Sequence, residues 1–170
     1  LDFPLHALCL GMCVHLAPIV LKAEGQASQL VHVTTGIRAG CMNAHQLARI
    51  LLYNVLERAH IYHPESPLRV FFDDITQTHS GVGDEVYEQL APAAANLVED
   101  LESADQTIST KSCCVSSHPA TATKIAKVIN KILKDRGSKA RIRMEKTTKD
   151  LGVKVTMGGK RFADVQKGRL

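Results

Sequence analysis

Apolar side chains recur at helical spacing in three separate stretches of this chain, and that recurrence constrains the fold more than any other feature. Residues 43–60 place Leu47, Ile50, Leu51, Val55 and Leu56 on one face. Residues 84–103 do the same with Val86, Leu90, Ala94, Leu97 and Leu101, and residues 120–136 with Ile125, Val128, Ile129, Ile132 and Leu133. Each stretch predicts an amphipathic helix, and Gly137 supplies the stop for the last one. A further helix is expected over 5–24, through Leu5, Leu8, Cys9, Met12, Leu16, Ile19 and Val20, with Pro18 as a kink.

Short β-rich runs lie between the helices. Residues 29–34 alternate toward a strand, and Pro64 and Pro67 end the second helix ahead of a strand over 68–72. Residues 75–79 read as the return arm of a hairpin, and 107–116, 140–144 and 151–157 as further strands. Helices and strands alternate without a strict β-α-β period, so the predicted class is α+β, with an antiparallel sheet covered by helices on one face. A chain of 170 residues with 45% hydrophobic and 22% charged content has the mass and composition of a globular domain, which excludes disorder and collagen-like repeats.

Five cysteines, Cys9, Cys13, Cys41, Cys113 and Cys114, form no CxxC pair, so neither a disulfide framework nor a zinc cage is expected, and a reducing compartment follows. The eight histidines include His60 and His63, but no HExxH pattern surrounds them. The most apolar run, 5–21, is interrupted by His6, Gly11, His15 and Pro18, short of the ~18 to 20 residues of a membrane span. No membrane partner is expected. The opening Leu1-Asp2-Phe3-Pro4 lacks both an initiator Met and the basic start of a secretory signal, which suggests a piece of something longer.

The net charge of +4 conceals a division along the chain. Residues 1–120 hold 6 of the 21 Lys and Arg and 13 of the 17 Asp and Glu, a net of −7, whereas residues 121–170 carry a net of +11. A cationic block of that size favours a phosphate-bearing partner over a merely solvated face.

Asp73 and Asp74 follow an apolar strand, where two adjacent carboxylates are costly to bury without a cation. Hard divalent ions take carboxylate oxygens, so a metal is one reason for the pair, and a capped turn is the other. The surrounding residues carry a family resemblance. Phe71-Phe72-Asp73-Asp74 resembles the aromatic-x-Asp-Asp catalytic hairpin of reverse transcriptases. Upstream, Gly36-Ile37-Arg38-Ala39-Gly40-Cys41 before a long helix resembles motif B of that family, a Gly-x-x-x-Gly turn into the helix beneath the incoming nucleotide. Downstream, Ile108-Ser109-Thr110-Lys111-Ser112 resembles motif D, and Lys149-Asp150-Leu151-Gly152-Val153 resembles the Leu-Gly turn of motif E in non-LTR retroelement and group II intron enzymes. The four motifs stand in family order across roughly residues 30–157.

The resemblance implies a partial polymerase palm over residues 1–157, followed by a basic tail at 158–170. It implies an RNA-directed DNA polymerase (a nucleotidyltransferase) that adds deoxynucleotides to a primer 3′-hydroxyl by two-metal catalysis. By that resemblance Asp73 and Asp74 bind Mg²⁺ or Mn²⁺ and are catalytic, and Lys111 neutralises or protonates the departing pyrophosphate. Gly36, Arg38, Gly40 and Phe72 contact nucleotide or template, and Leu151 and Gly152 grip the primer. The implied partners are an RNA template, a DNA primer, deoxynucleotide triphosphates and the remainder of a longer polyprotein, at a nuclear or cytoplasmic address. Motif A, which carries a further metal-binding aspartate ahead of motif B, has no counterpart in this sequence, so the chain by itself is expected to be inactive. The alternative is an inactive retroelement relic that binds nucleic acid through its basic last third. A third reading is a helical interaction domain in which Asp73-Asp74 is only a turn.

Overall fold

The protein, described from a computed structural model, is defined at residues 4–32, 44–71, 74–150 and 153–156. The chain divides into two compact units, Leu1–Leu51 and Leu52–Leu170. Its class is mixed α+β.

In the first unit, α1 spans Leu5–Leu16, eight residues short of the expected helix. The reason is Pro18. A residue before proline is pushed out of the helical region, and Ala17 takes ψ 141°, ending the helix with its N–H on the Cys13 carbonyl. Strands β1 (Lys22–Ala23) and β2 (Gln26–Ala27) follow as a hairpin in which Ala23 pairs with Gln26. Its two turn residues, Glu24 and Gly25, have φ of 50° and 80°, the primed geometry that matches the twist of two short strands. The strand expected over 29–34 is replaced, among the described residues, by a single bridge from Val31 to Ile19. Helix α2 (Ala44–Tyr62) begins in this unit and continues into the next.

The second unit is built around α3 (Glu85–Ser103) and α4 (Pro119–Asp135). Ala91, Ala95 and Val98 of α3 meet Ile125, Ile129 and Leu133 of α4 in one buried cluster. Alanines on α3 let the branched side chains of α4 approach closely, and Ala91, Ala95 and Leu133 are fully buried. Pro92 removes one backbone donor inside α3 without ending it. The opposite flank of α3, through Leu97 and Leu101, closes a second cluster with Leu52, Val55 and Ala59 of α2.

Both central helices end in the same way. At α4, the Gly137 N–H reaches the Lys134 carbonyl at 3.0 Å and the Ser138 N–H the Leu133 carbonyl at 2.9 Å, with Gly137 at φ 81°. At α3, Asp105 takes the left-handed position at φ 57°, and Gln106 bonds back to Leu101. These are Schellman closures that satisfy the last carbonyls of each helix.

The described strands form four separate pairs rather than one sheet. Strands β3 (Leu68–Phe71) and β4 (Asp74–Gln77) are antiparallel, as are β7 (Thr147–Asp150) and β8 (Val153–Thr156). Strands β5 (Cys113–Cys114) and β6 (Arg143–Met144) are parallel, contrary to an all-antiparallel sheet, because α4 forms the long crossover that parallel neighbours require. Asn130 on α4 fastens that crossover. Its amide donates to the Ile142 carbonyl at 2.8 Å and accepts the Ile142 N–H at 2.9 Å, completing the backbone pairing beside β6.

Candidate functional site

The hairpin predicted from the apolar run and its carboxylates is present. Leu68 pairs with Gln77, Arg69 with Thr76, Val70 with Ile75 and Phe71 with Asp74, and the Thr78 N–H extends the ladder to the Pro67 carbonyl at 3.0 Å. Cross-strand partners share a face and alternate along the strands. Leu68 and Ile75 turn inward and pack on the α2–α3 cluster. Phe71 and Asp74 therefore belong to the outward face, together with Arg69 and Thr76, and Asp74 is exposed at the end of the ladder. Phe72 and Asp73, which join the strands in sequence, lie outside the described residues.

Ser66 anchors the base of this hairpin. It is 1% exposed, its N–H bonds to the His63 carbonyl at 3.0 Å, and its hydroxyl meets His79 Nδ1 at 3.1 Å. A polar chain runs from there to the helices. Arg136 donates to Asn96 Oδ1 at 2.7 Å, which turns the Asn96 amide nitrogen toward His63 Nε2 at 2.8 Å. That nitrogen is then an acceptor, so the neutral ring of His63 carries its proton on Nδ1, the side facing Glu65 at 3.6 Å. Arg136 also pairs with Glu99 at 2.6 Å. These partners are distant in sequence, and no local pattern points to them.

Gln77 faces the core side of β4, with both side-chain polar atoms buried and without a hydrogen-bond partner among the described residues. The hairpin itself pairs with no third strand among those residues. An additional strand carrying a polar group alongside β3–β4 would satisfy both.

Lys111 is exposed, and it sits in a turn rather than on the expected 107–116 strand. The Ser112 N–H closes on the Ser109 carbonyl at 3.0 Å and the Lys111 N–H on Ser109 Oγ at 3.2 Å, so the serine diverts the backbone from a ladder. The strand that follows is only two residues long. In the motif E stretch, Asp150 pairs with Val153 at the end of the β7–β8 hairpin. Leu151 and Gly152 lie outside the described residues, as do Gly36, Arg38 and Gly40 ahead of α2.

Cys113 and Cys114 are half-buried, and neither forms a disulfide among the described residues. Burial, and then the neighbouring Cys113, push the Cys114 thiol up to about 11, which leaves it a protonated packing group at neutral pH. Among the described residues no three His, Cys, Asp or Glu side chains gather around a common point, and Asp73 lies outside that set. The donor chemistry nevertheless suits Mg²⁺, which is commonly held by one or two carboxylates with substrate phosphates and water completing its shell. Asp74 offers an exposed carboxylate next in sequence to a second one.

Among the described residues no helix is long and apolar enough to cross a membrane. Compared with known protein families, curated proteins and solved structures, the chain matches none.

Proposed function

We propose that the chain is part of a reverse-transcriptase palm of the non-LTR retroelement type, whose parent extends a DNA primer along an RNA template. The observation that supports this most is the β3–β4 hairpin closed by Phe71 and Asp74, with Asp73 beside them in sequence and the other family motifs before and after it in order. A short apolar hairpin seated on two helices is a rigid mount for carboxylates.

On this reading Asp73 and Asp74 hold Mg²⁺ or Mn²⁺, and a bound ion supplies activation of a hydroxyl and neutralisation of phosphate charge. Lys111 meets the departing pyrophosphate from its exposed turn. Gly36, Arg38, Gly40 and Phe72 receive nucleotide and template, and Leu151 and Gly152 receive the primer. Among the described residues the Gln77 amide has no hydrogen-bond partner and β3–β4 pairs with no third strand, which favours a neighbouring strand that would bring the third carboxylate of motif A.

The test is primer extension on an RNA template by the chain lengthened with its native upstream sequence. Template-dependent incorporation is expected with Mg²⁺ or Mn²⁺, falling about a hundredfold or more in Asp73→Asn and in Asp74→Asn. No incorporation, together with Mn²⁺ binding unchanged by Asp73→Asn, would overturn the proposal.

A further inference from the structure

Helix α4 carries Lys124, Lys127, Lys131 and Lys134, which the helical repeat sets in a single stripe opposite the buried Ile125, Ile129 and Leu133. The four lysines are not equivalent. Lys124 is committed within the fold, at 2.9 Å from Asp84 and 3.9 Å above the Tyr87 ring. Lys127, Lys131 and Lys134 are exposed and make no ion pair or hydrogen bond among the described residues. Asp84, Glu99 and Asp100 on and beside α3 pair with Lys124, Arg136 and Arg58, and the single acid of α4, Asp135, stands one turn beyond Lys131 without an ion pair among the described residues, so the stripe keeps a net positive charge. Like charges three and four residues apart repel along a helix, and a polyanion relieves that repulsion.

We infer that this outer face of α4 binds the phosphate backbone of a nucleic-acid duplex, through Lys127, Lys131 and Lys134. Seven residues of helix advance about 10 Å, the rise of about three phosphates along one strand of a duplex. A membrane surface fits less well, because an interfacial helix must insert an apolar face, and that of α4 is already buried against α3. The exposed positions of α4 hold no large apolar residue, so contact is with the backbone and independent of base sequence. This inference does not rest on the polymerase reading, since neither Asp73 nor Asp74 takes part.

The full chain would be titrated against a fluorescent 20-base-pair duplex of arbitrary sequence over a series of salt concentrations. The triple variant Lys127→Gln/Lys131→Gln/Lys134→Gln is expected to bind about tenfold or more weakly, with a log–log salt slope shallower by about 2.7. Lys22→Gln/Arg49→Gln removes exposed cations elsewhere and should leave the slope unchanged. Circular dichroism of the triple variant should match the parent, since the exchanged positions are all exposed. The inference is overturned by no duplex binding at low salt, by an unchanged slope in the triple variant, or by lysine-dependent binding to anionic phosphatidylserine vesicles without binding to the duplex.

Discussion

Helices α1 and α4 respond in opposite ways to similar material. α1 is the more apolar of the two, yet none of its residues is buried, and Leu5, Leu10 and Leu16 are each about two-thirds exposed. α4 alternates lysine with alanine and isoleucine, and it buries Ala122, Ile125, Ala126, Ile129 and Leu133. The difference is distribution. Apolar side chains surround α1 on every side, so no single orientation favours burial, whereas those of α4 are confined to one stripe that α3 covers. Apolar content alone does not pack a helix; segregation does.

The sharpest way to break this comparison is to truncate one leucine from each helix. Leu133→Ala, at a fully buried position, is expected to cost about 2–5 kcal/mol in urea unfolding, and Leu10→Ala, at an exposed one, less than about 0.5 kcal/mol. Equal losses would mean that α1 is packed as firmly as α4. Next in size is Asn130→Leu, which leaves the Ile142 N–H and carbonyl without their side-chain partners and should cost about 1–3 kcal/mol by the same measurement. No loss, or the small gain expected from the better helix propensity of leucine, would show the clasp to be dispensable.

Gly137→Ala forces a Cβ into left-handed backbone and should lower stability by about 1–2 kcal/mol, with the effect confined to the closure of α4. The smallest effect is absent at neutral pH. An unfolded thiol ionises near 9.0 and the Cys114 thiol of the folded chain near 11, so the unfolded state loses its proton first and stability declines as pH rises through that interval. Cys114→Ala should flatten that part of a stability-against-pH curve. Lys124, raised chiefly by its bond to Asp84, acts in the same direction, since its contribution is present below the ordinary lysine value of 10.5 and lost above it.

The segregated helices were the parts of the fold most legible in the sequence. The stretches 84–103 and 120–136 match α3 and α4 within a residue at each end, because periodicity and the Gly137 stop agree there. The same reading overran α1, where apolar residues continue past Pro18 and no period marks the boundary. It also overextended the 107–116 strand, since the Ser109 side chain competes for the backbone within a run of good strand formers. At the candidate site, the apolar run ending in carboxylates located the hairpin. The face on which Asp74 emerges depends on cross-strand register, which the sequence does not state. The tie from His63 through Asn96 to Arg136 joins three elements with no shared local pattern, so only the folded chain displays it.

The Asn130 clasp also bears on the timing of folding. α4 gains its turns from contacts within one short segment, but β6 reaches its place only when a distant part of the chain returns to β5 and to Asn130. Contacts that close long loops tend to form late, and those absent from the transition state govern how fast the native state is lost rather than how fast it is reached. In a stopped-flow chevron, Asn130→Leu should therefore raise the unfolding arm while leaving the refolding arm in place. A single amide would then set the lifetime of the folded state.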